Sequence, residues 1–452
     1  MWISPDIFKI DFRPDDWVED VNLRRAVDWF KSFLSPAEWE KRRFAAFTQF
    51  VETATGERKE PVGKGRFFDE KDRFAWYLML GENWLERPIF YDHVYGSRVV
   101  PVLIAIGRNL DALRAVPGVE HRVQRMVTKE KAQPNGCIFE LLVAAAYLRE
   151  GGAVVFLDEK PGVAKTHDMD VQLRGVSYAV ECKRLEGSEY QEKERGIARN
   201  LWMPVARHVE ELKMSVRCDI EYIAELSAVP HNYLANKAQQ WISQGARHSL
   251  SWSDDYSIGN LSHLDLMPLQ RELEHSEIAP NGTRMHELLL GKYKRNASVL
   301  TNLFMHRADN PLYIKACERG AVCNWSSVNQ AATESKARDV LKRVSEGCAQ
   351  LTDGRRGVVH IGLEAVEGND VERARYDRLR RSLKGFDTKG KLLEYVYIHW
   401  FAPESPPAEA YSFDESRHCE VIRPMGSYPI QEFLVLPAGA PNDTRAGGHW
   451  AA

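Results

Sequence analysis

The stretch that decides the fold is "HDMDVQLRGVSYAVECKRL", residues 167–185, in which two short apolar runs flank an Arg-Gly pair. Arg174-Gly175 is typical of a two-residue hairpin turn, because glycine readily adopts the positive φ that such turns need. With that turn, residue 173 pairs with residue 176 and residue 170 pairs with residue 179. The sequence therefore predicts two antiparallel strands whose side chains alternate between the two faces.

The predicted hairpin carries charged side chains where a buried strand is usually apolar. Glu181 and Lys183 share one face of the second strand, and Asp168 and Asp170 share one face of the first. In the predicted register Asp170 lies on the same face as Glu181 and one diagonal away, at a backbone distance of about 7–8 Å. Two carboxylates so placed can bridge one cation, whereas a shift of one residue would separate them.

These residue types fit metal-assisted chemistry on a phosphate. Hard carboxylate oxygens suit Mg²⁺ or Mn²⁺, and Lys183 adds a positive charge that can stabilise charge developing on a phosphate. A fourth candidate is Glu140, which lies in the very apolar helical stretch "CIFELLVAAAYL". A carboxylate there needs a partner, and the structural alternative to a functional role is an interaction with the helix N-terminus.

Residues 135–226 resemble the PD-(D/E)XK nuclease superfamily, which has the restriction-endonuclease-like fold. That core runs helix, three strands, helix, strand, with an acid on the first helix, an acid at the second strand and an E-x-K on the third. The resemblance assigns these positions to Glu140, Asp170, Glu181 and Lys183. It implies that these four residues are catalytic, and that Glu140, Asp170 and Glu181 bind Mg²⁺ or Mn²⁺.

The resemblance implies a nuclease that cleaves DNA or, less often, RNA, with a role in restriction or antiviral defence and a homodimeric state as further expectations. The proline that precedes the aspartate in the family is missing from "HDMD", which leaves Asp168 as a rival metal ligand and His167 as a lesser candidate. The alternative from another class is an inactive nuclease-like module that binds nucleic acid or a partner. A structural cluster of salt bridges is a third interpretation.

Two basic segments are candidates for contact with nucleic acid. Arg195 and Arg199 lie one turn apart on the helix that follows the lysine strand. Residues 371–391 hold eight Arg and Lys against three Asp and Glu, a local charge of +5. Charged helices of this kind are often solvated faces. The residues of the second segment that we expect to contact phosphates are Arg378, Arg380 and Arg381.

Length and composition predict several domains. The chain has 452 residues and a formal net charge of -3, so contact with nucleic acid would depend on local patches. The predicted fold class is α/β, a restriction-endonuclease-like mixed sheet flanked by helices, with an α-helical N-terminal domain and a large insertion. The predicted organisation is a helical domain at 1–130, a nuclease core at 131–230, an irregular insertion at 231–330, an α/β continuation of the core at 331–436 and a flexible tail at 437–452.

The cysteines and the apolar runs predict a cytoplasmic protein. The seven cysteines show no CxxC spacing, which argues against a zinc ribbon and a disulfide scaffold and favours a reducing compartment. The N-terminus has no signal-peptide pattern. No apolar run approaches the roughly 20 residues that a membrane span needs, so no membrane partner is expected.

Overall fold

Two mixed β-sheets flanked by helices organise the chain. In this computed structural model the described residues are 4–10, 12–15, 17–55, 68–158, 166–185, 189–295, 298–409, 411–423, 428–437 and 448–451. Within these ranges, no helix is both long and apolar enough to cross a membrane.

The helices and strands of the described residues are numbered in chain order. The helices are α1 Val21–Lys31, α2 Pro36–Thr55, α3 Arg73–Glu86, α4 His93–Arg108, α5 Leu110–Arg114, α6 Val119–Thr128, α7 Asn135–Arg149, α8 Glu189–Glu211, α9 Tyr233–Ser243, α10 Met267–Leu273, α11 Thr283–Leu290, α12 Gln330–Gln350 and α13 Asn369–Leu383. The strands are β1 Ala153–Phe156, β2 Met169–Leu173, β3 Val176–Leu185, β4 Val216–Tyr222, β5 Leu250–Ser253, β6 Ser257–His263, β7 Ser298–Arg307, β8 Ile314–Ser327, β9 Arg356–Glu364, β10 Leu392–Glu404 and β11 Ser412–Val421.

The N-terminal region is helical, as the sequence predicts. Helices α1 to α6 bury their apolar stripes, which the three-four spacing of apolar residues marks in the sequence, in one core with α7. Helix α7 is buried almost all round, because it packs on these helices on one side and on the first sheet on the other. This double packing explains why its sequence is the most apolar of the predicted helices.

The first sheet has the strand order β1-β2-β3-β9-β10-β11. Strands β1, β2 and β3 form an antiparallel meander, β3, β9 and β10 are parallel, and β11 returns antiparallel to β10. Strands β9 and β10 are buried along almost their whole length. Parallel strands covered on both faces need such continuous apolar runs.

The hairpin that joins β2 to β3 has the predicted turn and register. Leu173 pairs with Val176 and Asp170 pairs with Ala179. Arg174 has a φ of 49° and Gly175 a φ of 77°, as a tight turn with two left-handed residues requires. The register prediction is therefore confirmed.

The second sheet was not expected from the sequence. Its strand order is β5-β6-β4-β8-β7, and helices α8 and α9 contribute to the core on one side of it. Strand β4, expected to continue the nuclease core, pairs with β6 and β8 in this sheet. Its alternating burial explains the placement, because β4 has only one apolar face and the first sheet buries both faces of its central strands.

Residues 231–330 differ from the irregular insertion that the sequence suggested. They contain α9 to α11 and β5 to β8. In β5 the exposed Ser251 and Ser253 alternate with the partly buried Leu250 and Trp252, and in β6 Asn260 and Ser262 flank the buried Leu261. Much of the polar composition here therefore marks the open face of a sheet. The segment follows β4 in the chain and precedes most of α12.

Helix α12 covers the face of the first sheet opposite α7 and approaches β3 closely at Gly347. A Cβ atom at Gly347 would lie 3.0 Å from Val359 Cγ1 and 3.4 Å from Glu181 Cγ. Because Gly347 has no side chain, α12 can pack closely against Glu181. The candidate site is enclosed between this helix and the sheet.

The last part of the chain is more ordered than the predicted tail. Residues 438–447 lie outside the described residues, but His449–Ala451 forms a short 3₁₀ helix. Trp450 is only 4% exposed, and its ring lies 5.0 Å from that of Trp400 and 5.2 Å from that of Tyr376, centre to centre. Burial of so large an aromatic surface holds this end against α13 and β10.

We predict that Trp450→Ala lowers the stability of the protein by about 3–5 kcal/mol, because it empties a buried aromatic site. The measurement is the thermal melting temperature. Tyr428→Ala is the control, since this residue is about half exposed and should shift the melting temperature less. Equal melting temperatures for the two variants would show that the C-terminal end contributes nothing to the fold.

Candidate active site

The candidate site lies where β2 begins and β3 approaches its carboxyl end. Asp168 immediately precedes β2, Glu181 and Lys183 lie on β3, and Glu140 lies on α7. The parallel strands β3, β9 and β10 also end at this edge of the sheet. The carboxyl ends of parallel strands are where ligands usually bind in α/β sheets.

Asp168 is the acid of the first strand that reaches Glu181. Its main-chain N–H donates to the Val180 carbonyl at 3.1 Å, and its Oδ2 accepts from the Cys182 N–H at 2.7 Å. The residue lies directly before the paired part of β2, and its side chain reaches β3. The two carboxyls lie close enough for each to affect the pKa of the other.

Asp170 is engaged elsewhere, contrary to the expectation that it joins Glu181. Its Oδ1 accepts from Arg355 Nη1 at 2.6 Å and from His167 Nε2 at 2.7 Å. Partial burial favours the neutral form, but Arg355 and His167 outweigh it and hold the pKa of Asp170 below its ordinary value. His167, the lesser ligand candidate, also contacts Thr352 Oγ1 at 3.0 Å. The predicted backbone register was correct, but it did not determine that the Asp170 side chain contacts Arg355 and His167 instead of Glu181.

The Asp168–Glu181 pair is strongly perturbed by its surroundings. Burial raises the pKa of Asp168 well above its ordinary value, and the charges of Glu140 and Glu181 add to the effect. Glu181 is 0% exposed, and burial raises its pKa to about 7 although Lys183 lowers it. Glu181 Oε2 is buried with no hydrogen-bond partner among the described residues. The two carboxyls therefore hold a proton that a cation can replace.

Lys183 carries the positive charge of the site. Its Nζ contacts Glu181 Oε1 and donates to Gln350 Oε1 at 2.8 Å. Burial opposes its charge, but Glu181 outweighs that effect and the pKa of Lys183 is raised, so the ammonium is charged at neutral pH. The side chain is 21% exposed, which leaves part of it open to a ligand.

Gln350 is a site residue that sequence reasoning missed. It lies at the end of α12, 167 residues from Lys183 along the chain. A lone glutamine at the end of a polar helix has no spacing or composition that marks it as functional. Only the packing of α12 on β3 brings it to the site.

Glu140 lies close to the pair but is already bound by a cation. Arg122 donates to both of its oxygens, from Nε at 2.6 Å and from Nη2 at 2.7 Å, and also reaches Glu130 at 2.7 Å. The partner of this buried acid is therefore a guanidinium, and not the helix N-terminus. The charge of Glu140 raises the pKa values of Asp168 and Glu181, so it acts on the site through its field.

The first pair of candidate phosphate contacts lies on α8, away from the first sheet. Arg195 and Arg199 are partly buried there, in a helix that packs on the second sheet. Their burial makes them weaker candidates for a phosphate backbone than fully exposed basic residues.

The basic helix α13 divides into a buried part and an exposed part. Arg375 is buried in ion pairs with Glu367 and Glu372, and Arg378 is partly buried with its Nη1 4.0 Å from Glu334. Of the expected contacts, Arg380 and Arg381 are exposed, and so is Lys384. The charge available at the surface is therefore smaller than the sequence count suggests.

The donor set of the site fits a cation that uses few protein ligands. Among the described residues, no group of three or more His, Cys, Asp or Glu side chains is arranged to hold a metal ion. Mg²⁺, however, is usually bound by one or two carboxylates together with water and substrate phosphates. Asp168 and the unpaired oxygen of Glu181 meet that requirement.

Comparison with known proteins adds no family. No protein-family model matches the sequence, and no curated protein matches it significantly.

We predict that, with a chelator present, stability falls as the pH rises from about 4.5 to about 7. Between these values folded Glu181, with its raised pKa, binds more protons than the unfolded chain does. Glu181→Gln removes the part of this dependence that comes from Glu181, a difference on the order of 2 kcal/mol across the window. The measurement is the melting temperature against pH.

The matched control is Glu346→Gln, a partly exposed carboxylate paired with Arg343. It should leave the pH dependence of the wild type unchanged. Parallel curves for the wild type and Glu181→Gln would mean that Glu181 is ionised throughout and that Asp168 alone holds the proton.

Proposed function

We propose that this protein is a metal-dependent nuclease that hydrolyses phosphodiester bonds, with DNA the favoured substrate over RNA. The observation that carries the proposal is the convergence of Asp168, Glu181 and Lys183 at one end of the first sheet, with a buried Glu181 oxygen that has no donor within the described chain. Two acids and a lysine around one point are the groups that hold a cation and a phosphate together.

The order of elements supports a restriction-endonuclease-like core. Helix α7 is followed by β1, β2 and β3, and α12 and β9 come next once residues 189–329 are treated as an insertion. Strand β9 pairs parallel to β3 in the same sheet. This is the helix, three-strand, helix, strand order of the resemblance, with its fourth strand supplied by β9.

The roles of the residues follow from their contacts. Asp168 and Glu181 would hold Mg²⁺ or Mn²⁺, which supplies, when bound, positive charge that polarises the scissile phosphate. Lys183 presents an ammonium that stabilises negative charge developing on a phosphate oxygen. Gln350 holds that ammonium in place, and Arg122 neutralises Glu140 beside the pair.

We propose that the exposed basic face of α13 contacts the nucleic-acid backbone. Arg380 and Arg381 lie in the last turn of α13 and Lys384 directly follows the helix, and all three side chains are exposed. Arg378 is removed from the expected set because it is partly buried near Glu334. A basic face of this size adds affinity for phosphates without reading a sequence.

The setting of the protein is a further part of the proposal. All seven cysteines are unbonded and six of them are buried, which fits a reducing compartment such as the cytoplasm. A homodimer stays a prediction from the resemblance, as does a role in restriction or antiviral defence.

The second candidate function is an inactive nucleic-acid- or partner-binding module of the same fold. It is favoured by the complete burial of Glu181 and by Arg122, which occupies both oxygens of Glu140. A site that neither binds a divalent cation nor cleaves any nucleic acid would belong to this class.

We predict that Asp168→Asn abolishes cleavage and weakens Mg²⁺ binding by at least about tenfold, because the cation loses an anionic ligand. Asp170→Asn is the matched control and should keep the Mg²⁺ affinity of the wild type, since its partners are His167 and Arg355. The measurements are calorimetric titration with Mg²⁺ and cleavage of labelled DNA and RNA with Mg²⁺, Mn²⁺ or chelator. The opposite order of the two variants would move the metal site to Asp170.

We predict that replacing Arg380, Arg381 and Lys384 together by Gln weakens DNA binding. The slope of the logarithm of the binding constant against the logarithm of salt concentration should become shallower, by the amount that corresponds to about three lost phosphate contacts. The control changes the same charge at three exposed residues of the N-terminal region, Lys41, Lys71 and Arg114. Binding is measured by fluorescence anisotropy over a range of salt concentrations. Equal salt slopes for the two triple variants would show that α13 faces solvent when DNA is bound.

A further inference from the structure

The turn between α12 and β9 is tied to the start of β2 by a buried histidine. His167 is 2% exposed, and its Nε2 contacts Asp170 Oδ1 at 2.7 Å while its Nδ1 contacts Thr352 Oγ1 at 3.0 Å. An Nε2–H that donates to Asp170, with Nδ1 accepting from the Thr352 hydroxyl, satisfies both ring nitrogens. The imidazole is therefore a fixed spacer between the strand and the turn.

Arg355 forms a second link between the turn that follows α12 and the Asp170 carboxylate. Arg355, one residue before β9, places its Nη1 2.6 Å from Asp170 Oδ1, and its Nη2 donates to Ser177 Oγ on β3 at 3.2 Å. Its main-chain N–H donates to the Thr352 carbonyl at 3.3 Å. The His167 and Arg355 side chains thus meet at Asp170, which accepts a hydrogen bond from each.

The turn held in this way carries the glutamine of the site. Gln350 is the last residue of α12 and lies two residues before Thr352. Its Oε1 accepts from the Lys183 ammonium at 2.8 Å. A shift of the turn by one ångström would lengthen this bond beyond the range of a good hydrogen bond.

We propose that Asp170, His167 and Arg355 form a positioning clamp that fixes the end of α12 and thereby holds Gln350 against Lys183. Asp170 is thus a positioning residue that touches neither the cation nor the phosphate. The effect of the clamp on hydrolysis rests on the proposed function, whereas the clamp itself is a property of the fold.

The turn has an anchor on its other side, which makes the clamp testable. Lys391 donates to the Leu351 carbonyl at 2.5 Å and pairs with Asp353 at 2.7 Å. The fold should therefore survive when the clamp is cut. Arg355→Gln is a second and milder way to disrupt the clamp, because the Arg355 side chain is partly exposed.

The first experiment measures hydrogen exchange of the amides in residues 348–356 by mass spectrometry for Asp170→Asn and Arg355→Gln. We expect exchange in this segment to rise about 10- to 100-fold in both variants, as the turn opens more often. The control is Glu346→Gln, at a partly exposed side chain of α12 that pairs with Arg343 and takes no part in the turn, which should stay close to the wild type. Unchanged exchange in both cut variants would overturn the clamp.

The second experiment measures cleavage kinetics and Mg²⁺ affinity of the same proteins. We expect kcat to fall about 10- to 100-fold in Asp170→Asn, with KM and Mg²⁺ affinity unchanged, as for residues that act through a neighbour. Combining Asp170→Asn with Gln350→Ala should cost no more than Gln350→Ala alone, because both act on one contact. Additive losses, or a loss of Mg²⁺ affinity in Asp170→Asn, would overturn the positioning role.

The two experiments separate the clamp from the nuclease. Wild-type protein that cleaves no nucleic acid with either metal would refute the proposed function, and the exchange data would still decide whether the clamp exists. Cleavage by the wild type with no change of kcat in Asp170→Asn would refute the role of the clamp in hydrolysis and leave the function standing.

Discussion

The burial of the Glu181 carboxyl beside Asp168 is the constraint to which the rest of the site responds. A carboxylate taken out of water costs several kcal/mol unless other groups compensate its charge. Here the compensation comes from Lys183 on the same strand, while the Cys182 N–H is committed to Asp168. The residual cost appears as a pKa of Glu181 near 7. The donors that the described residues supply therefore fall short of what the two acids need, which is the basis of the proposed cation.

Strand β3, which carries Glu181, is covered on both faces. Helix α7 lies on the side of Tyr178, Val180 and Cys182, and α12 lies on the side of Ala179 and Glu181. Charged groups on such a strand feel a low dielectric from both sides, so each ionic contact is stronger than it would be on an open sheet. The two helices that enclose the site come from distant parts of the chain, and each delivers a residue, Glu140 and Gln350.

Local signals in the sequence were enough for the hairpin and for the E-x-K strand. The Arg174-Gly175 turn, the register that follows from it and the burial of Glu181 all depend on residues close together in the chain. The choice between Asp168 and Asp170 was not available in the same way, because the predicted register places both acids on the face of Glu181 and only tertiary packing brings Arg355 to Asp170. Arg122, Arg355 and Gln350 belong to other elements and become neighbours only through tertiary packing. The second sheet was missed because polar residues on its open face resemble a loop.

The insertion between β3 and α12 has a consequence for how the protein is made. Lys183 and Gln350 are separated by 167 residues, so β3 is synthesised roughly 8–35 s before the segment that completes its environment, at about 5–20 residues per second. During that interval β3 can pair with β2, while its other edge stays unpaired until β9 has been synthesised. An unpaired apolar edge is a template for association with other chains. Strands β4 and β8 pair in the second sheet and bring the two ends of the insertion together, so folding of that sheet would shorten the loop that must close before this edge is covered.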